Sequence, residues 1–156
     1  MRKIFVYYSL SGNGDAVADY LKTKGFEIRK LVTEKKIGKM SFFRMIHYGK
    51  KATFHQKEKL LPYEFREEEG DLVVIGTPIW ADRVSTPVNA FLAQEKLRTP
   101  HPVFLLYSGS GHSKKVKRDL RKIYPEAQFI DLRNPASEPE AMKKALVSLL
   151  SEEPVK

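Results

Sequence analysis

The sequence contains no cysteine. Disulfides, thiolate catalysis and cysteine-based zinc sites are therefore outside its chemistry, and a reducing compartment suits it. No apolar run approaches the roughly 20 residues that a membrane span needs. The short run in MRKIFVYYSLSG lacks both the length of a signal-peptide core and a small-residue cleavage pattern, so the expected location is cytoplasmic. There is no internal repeat, low-complexity tract or linker. His47 and His55 are not at i, i+4 spacing and have no carboxylate cluster beside them, so no metal site is expected. No acid–base constellation stands out, and no catalytic residue is assigned.

What remains is an ordinary globular composition with an unusual charge. The 156 residues are 42% hydrophobic and 30% charged, enough for a single domain spanning 1–156 with a substantial core. The net charge is +9 and the isoelectric point is near 9.6, which points to an anionic partner of some kind.

Five β-type runs alternate with helical ones. Lys3–Tyr8, Leu72–Gly76 and Pro102–Tyr107 are near-continuous apolar runs, as strands buried on both faces should be. Phe26–Val32 and Gln128–Leu132 read as less buried strands. Helices are expected over Asn13–Lys24, ended by Gly25, over Pro87–Glu95, over His112–Tyr124, stopped by Pro125, and over Glu138–Leu150. The alternation predicts an α/β fold with a parallel sheet covered on both faces. The segment between Thr33 and Gly70 departs from it. That segment carries the basic, aromatic stretch Ser41–Lys59 and an acidic turn at Glu64–Asp71.

In open α/β sheets, ligands bind where strands give way to helices. Three loops follow the three buried strands. The first is Ser9, Leu10, Ser11, Gly12, Asn13, Gly14, Asp15, which joins a strand directly to a helix. Backbone N–H groups, flexible glycines and hydroxyl donors there make a phosphate cradle without a lysine. It lacks the Walker pattern, and Val17 stands where the dinucleotide fingerprint needs its third glycine. The alternative is an ordinary capped turn. The second loop, Thr77, Pro78, Ile79, Trp80, Ala81, Asp82, Arg83, holds the only tryptophan, either a stacking surface for a flat ring or a residue packed under the loop. The third, Ser108, Gly109, Ser110, Gly111, His112, Ser113, offers backbone N–H groups to a ligand edge or is a flexible connection.

Together these loops resemble the flavodoxins. VYYSLSGNGDAVADYL is similar to their FMN-phosphate signature, and VVIGTPIWADRVSTPVNAFL resembles the second flavin loop of a bacterial flavodoxin-like family with a GTPxWxxR pattern. YSGSGHS falls where the third loop belongs, and HYGKKATFHQKEKL resembles a Gly-containing segment between strands two and three. The resemblance implies a flavodoxin-like, doubly wound five-stranded parallel sheet in order 2-1-3-4-5. It implies that Ser9 to Gly14 hold the FMN phosphate, that Trp80 stacks on the isoalloxazine, and that Thr77 to Asp82 and Ser108 to Gly111 line the ring. Three features depart from the family: Gly14 stands where Thr or Ser is usual, Asp82 where glycine is common, and the third loop lacks the second aromatic residue that sandwiches the ring in many flavodoxins. A carboxylate at Asp82 would disfavour the anionic reduced flavin.

The function implied is FMN-based electron transfer with a redox partner protein of acidic surface, by a monomer or homodimer. The alternative is an FMN-dependent NAD(P)H:quinone-type oxidoreductase acting on a small quinone-like acceptor. A reading of another class is a basic nucleic-acid or anionic-surface binding module. It would use the Lys35–Lys59 cluster, with interleaved Phe42, Phe43, Tyr48 and Phe54, and the cluster from Lys114 to Lys122.

Overall fold

The computed structural model describes residues 1–35, 58–109 and 113–151. Along these the chain runs β1 (Lys3–Tyr7), α1 (Asn13–Thr23), β2 (Glu27–Lys30), β3 (Leu72–Trp80), β4 (Arg83–Val84), α2 (Thr86–Gln94), β5 (Val103–Ser108), α3 (Lys114–Ile123), β6 (Gln128–Arg133) and α4 (Pro139–Ser151). The sheet order is β2-β1-β3-β5-β6, all parallel, and β4 pairs antiparallel with the end of β3. With the two-residue β4 set aside, this is the expected order 2-1-3-4-5 with helices on both faces. The stretch Tyr48–Phe54 and most of the basic segment lie outside the described residues.

Side-chain alternation along the central strands divides the core in two. Ile4, Val6, Val73, Ile75, Phe104 and Leu106 face α2 and α3 and meet Val88, Phe91, Val116 and Leu120. Phe5, Tyr7, Val74, Leu105 and Tyr107 face α1 and α4 and meet Val17, Leu21, Met142 and Leu146. Both sheet faces are therefore dry, which is why β1 and β5 read as unbroken apolar runs. α1 closes as the sequence suggests. Gly25 takes φ +87, its N–H donates to Lys22 O (3.2 Å), and Phe26 N–H donates to Leu21 O (3.2 Å). That double return is the glycine-dependent helix stop.

Two boundaries differ from expectation. β2 is shorter, at Glu27–Lys30, because only that stretch pairs with β1. β3 runs on through Thr77–Trp80, which the sequence reading treats as loop. Thr77 and Pro78 pair with Leu106 and Tyr107 of β5, and Ile79 and Trp80 pair with β4. Beyond β2, Thr33 bridges Leu60 antiparallel, with Glu34 N–H on Lys59 O and Leu61 N–H on Val32 O, both at 2.8 Å. The chain thus leaves and returns at one point on the carboxyl side of β2.

At the opposite edge, Asp71 ties the amino ends of β1 and β3. It accepts from Glu68 N–H (2.9 Å) and Arg2 N–H (3.1 Å) and faces the Arg2 guanidinium at 3.4 Å. Those backbone bonds, with Arg2 adding its charge, hold the carboxyl below its ordinary pKa. A depressed carboxyl pKa means the unfolded chain binds the proton first, so this stabilisation is full above about pH 4 and is lost as pH falls through the folded value. Urea midpoints are expected to fall more between pH 5 and pH 3 in the wild type than in Asp71→Asn, which starts lower; parallel declines would remove Asp71 from acid unfolding.

Candidate functional site

β1, β3 and β5 end at one edge of the sheet, and the first and third loops and the β3–β4 hairpin gather there. At the first loop Gly12 precedes α1 with φ +89, and no side chain at that position caps the helix. A Cβ built on Gly12 would have nothing within 4 Å, so this side of the turn is open. Ser9 lies across the helix start, its Oγ accepting from Gly14 N–H (3.1 Å) and Asp15 N–H (3.4 Å). Ser11 is exposed, while Leu10 packs against the core on the α2 side. Asn13 Oδ1 accepts from Ala136 N–H (3.1 Å), which pins the turn after β6 to the first loop and leaves the amide nitrogen as the remaining donor.

Gly14 is closed where Gly12 is open. A Cβ on Gly14 would lie 2.6 Å from the Tyr107 hydroxyl, 2.7 Å from Tyr7 Cδ2 and 2.9 Å from Ser9 Cβ. The residue the family usually has here, Thr or Ser, has no room in this chain, because two tyrosines fill the space. Tyr107 donates its hydroxyl to Tyr8 O, and Tyr7 donates to Asp15 Oδ1 (2.7 Å). Burial pushes the Tyr107 hydroxyl far above its ordinary pKa. Burial and then the Asp15 bond raise that of Tyr7. Tyr8 is pushed up to about 12, chiefly by burial. All three are protonated donors at neutral pH. Asp15 also pairs with Lys30 Nζ at 2.9 Å. Desolvation works to raise the Asp15 pKa, but the bonds from Lys30 and Tyr7 together outweigh it and the net shift is downward.

The second segment is tighter than a loop. Thr77 is fully buried: its hydroxyl donates to Pro78 O (2.8 Å) and accepts from Ser85 N–H (3.1 Å). With its proton committed, it accepts the Ser85 hydroxyl at 3.0 Å. Thr77 therefore locks β3 to the start of α2 and does not present its side chain to a ligand. Pro78 and Ile79 are half-buried. Trp80 is 5% exposed and meets Tyr8 edge-to-face, with ring centroids 5.7 Å apart. Ala81 (φ +49) and Asp82 (φ +59) form an exposed two-residue turn between paired Trp80 and Arg83. Two consecutive positive φ values mark the hairpin turn that glycine, asparagine and aspartate favour. That suits aspartate at position 82 and leaves Ala81 strained. Ala81→Gly is expected to stabilise the fold by about 1 kcal/mol, read as a higher urea midpoint; an unchanged or lower midpoint would show the turn unstrained.

Of the third loop, Ser108 ends β5 half-buried and Gly109 is exposed near Asn134, while Ser110, Gly111 and His112 lie outside the described residues. Ser113 is buried and donates to Asp131 Oδ1 at 2.5 Å. Tyr7, Tyr107 and Lys30 are not among the site residues expected from the sequence, and Asp15 is expected only as part of the first loop, without its ion pair. The tyrosines do carry a signal, since each lies at the carboxyl end of a buried strand. Glu58, which accepts from Thr86 Oγ1 (3.1 Å) at the start of α2, carries none.

A depression of about 640 Å³ lies at the far, amino-terminal edge, bordered by Glu67, Asp71, Arg98 and His101. Its buried carboxylates are already engaged, Asp71 as described and Glu67 by the N–H groups of Arg98 (2.8 Å) and Thr99 (2.6 Å). It is bracing between loops, far from the strand ends where the glycine turns gather. Among the described residues no cluster of His, Asp or Glu is placed to hold a metal, and no helix is long and apolar enough to cross a membrane.

Neither a family model nor a curated protein sequence matches the chain. Solved structures do. A Bacteroides eggerthii DSM 20697 protein assigned as a flavoprotein superposes with a TM-score of 0.67 at 16% identity, covering 97% of this chain and 99% of its own. A Bacteroides uniformis ATCC 8492 protein, likewise assigned, gives 0.66 at 15%, covering 91% and 97%. A flavoprotein from Lactobacillus acidophilus NCFM, crystallised in complex with FMN, gives 0.61 at 17%, covering 89% and 97%. The chain has the flavodoxin-like fold. Connections leave β1 and β3 in opposite directions at the edge just described, and open α/β sheets generally hold ligands at such a point.

Proposed function

We propose that this chain binds FMN without a covalent bond at the carboxyl edge of its sheet and serves in electron transfer. The observation that carries the reading is the start of α1: an open, left-handed Gly12 before a helix whose first N–H groups meet only a serine hydroxyl. Such an end suits a phosphate monoester. Ser9 to Gly14 would hold it, with Ser9 Oγ already in place among the donors. Ser108 to Gly111 and the backbone of Pro78 to Asp82 would border the ring. For Trp80 to stack on the ring, its indole would have to turn away from Tyr8. Bound FMN supplies the one- and two-electron chemistry, and the protein supplies position and electrostatics.

Two charges sit at the cradle. Asp15 shares the first turn of α1 with the phosphate position, and Lys30 neutralises it. Lys30→Gln leaves that carboxylate with its Tyr7 hydrogen bond but without a counter-charge. It is expected to weaken FMN about two- to fivefold, the scale of a half-exposed ion pair, and Asp15→Asn to tighten it. Riboflavin, which lacks the phosphate, should be indifferent to both. Equal effects on the two ligands would move the phosphate elsewhere.

To test the function, the gently purified protein is examined for bound flavin, photoreduced without oxygen and offered separate acceptors. Rapid oxidation by one-electron acceptors with negligible NAD(P)H consumption supports the electron carrier. Multiple-turnover NAD(P)H oxidation with a quinone would overturn it in favour of a reductase, and a colourless protein that takes up no FMN would overturn the cofactor.

A further inference from the structure

α3 carries more charge than the fold can use. Six of its ten residues are Lys or Arg against one Asp. Val116 and Leu120 bury one side of it. At 3.6 residues per turn, Lys114, Lys115, Lys117, Arg118, Arg121 and Lys122 all fall on the opposite arc, about 160° wide. Cations face one another at i, i+3 and i, i+4 along it, as in Lys114–Arg118, Lys117–Arg121 and Arg118–Lys122, and such pairs destabilise a helix. Relief is partial. Lys117 Nζ meets Asp131 Oδ2 at 2.5 Å, Arg118 reaches Asp119 only at 3.8 Å, and Arg121 covers the Phe129 ring at 4.9 Å. Strand alternation puts Arg133 on the same face as Phe129 and Asp131. Lys114, Arg118, Arg121 and Lys122 remain exposed. The helix starts just after the third loop, and its first five residues rise only about 6 Å from the ligand edge.

We propose that this face of α3 is the docking surface for an acidic protein that exchanges electrons with the flavin; the partner's role, though not the surface, rests on the function proposed above. The helix places a self-repelling cationic field beside the ring edge bordered by Ser108 and Gly109, where a carboxylate-rich protein would relieve the repulsion and shorten the electron path. A single-stranded nucleic acid is the poorer occupant. The outward arc of α3 holds no aromatic side chain on which bases could stack, and Phe129 is already covered by Arg121.

The triple variant Arg118→Gln, Arg121→Gln, Lys122→Gln tests the surface in two ways. In stopped flow, the reduced FMN-loaded protein is mixed with ferricyanide, an anion, and with cytochrome c, a cation. The wild type is expected to reduce ferricyanide about tenfold faster at low salt than at high salt and to show the opposite trend with cytochrome c. Both trends should flatten in the variant with its flavin spectrum unchanged. Independently of flavin, the chain without added FMN is titrated with poly-L-glutamate and with a labelled single-stranded DNA 20-mer at 150 mM salt. Poly-L-glutamate binding that weakens at least tenfold in the variant, with DNA binding negligible in both, supports the acidic protein partner even if FMN binding fails. Salt trends or poly-L-glutamate binding that survive in the variant overturn it. So does tight DNA binding that the variant loses, which would make the face a nucleic-acid surface.

Discussion

Gly14→Ala is expected to cost about 1–3 kcal/mol of fold stability and most of the FMN affinity, although it adds a single methyl group. The methyl carbon would sit within 3 Å of three side chains, and only one of these contacts is with the far end of a flexible group. The Tyr107 hydroxyl can retreat only by giving up its bond to Tyr8 O. Tyr7 Cδ2 belongs to a ring stacked on Phe5 at 5.1 Å, and Ser9 Cβ is fixed by the cap that Ser9 provides. Something must shift, and each candidate for shifting is part of the cradle. Tyr107→Phe in the Gly14→Ala background removes the nearest atom but leaves the other two, so it should restore only part of the loss. Urea unfolding and FMN titration of the two variants check this. Wild-type stability and affinity in Gly14→Ala would mean that the tyrosines do not set the size of residue 14, and that a Thr or Ser could have stood there.

Thr77→Val should be nearly as severe, at about 2–3 kcal/mol, for a reason of hydrogen bonding and not of volume. Valine matches threonine in shape, but it would leave Ser85 N–H and the Ser85 hydroxyl without their partner in a fully buried site. Because those bonds hold the end of β3 to the start of α2, the Ala81–Asp82 turn should loosen with them, and FMN affinity should drop alongside stability. Thr77→Ser keeps the hydroxyl and is expected to retain most of both. If Val and Ser behave alike, the hydroxyl is not the lock, and Thr77 matters only as packing.

The positions where sequence reading and structure part company share a physical cause. The alternating α/β architecture and the two-sided core follow from strands with continuous apolar character and helices with one apolar stripe, and both properties are local, whereas the strand order was implied only by the resemblance to flavodoxins. The continuation of β3 past Gly76 is not local. Thr, Pro, Ile and Trp in succession look like loop, and they become strand because β5 and β4 are there to pair with them. Thr77 reads as part of a loop that lines a ligand until Ser85 is brought against it. Gly14 reads as a missing phosphate ligand until Tyr107, 93 positions away in the chain, takes up its side-chain space. The glycine turn before α1 is legible because a strand-to-helix junction with a left-handed glycine follows from local chain geometry. The ion pair of Asp15 with Lys30 is not, since it depends on the pairing of β1 with β2.

The binding of FMN is tested most directly by titrating flavin-free protein with FMN while following the fluorescence of Trp80, the lone tryptophan, which lies at the end of β3 beside the proposed ring position. Saturable quenching at micromolar or lower FMN is expected, with one FMN bound per chain and riboflavin binding more weakly for want of the phosphate. Quenching that never saturates, or riboflavin binding as tightly as FMN, would contradict a phosphate held at the start of α1.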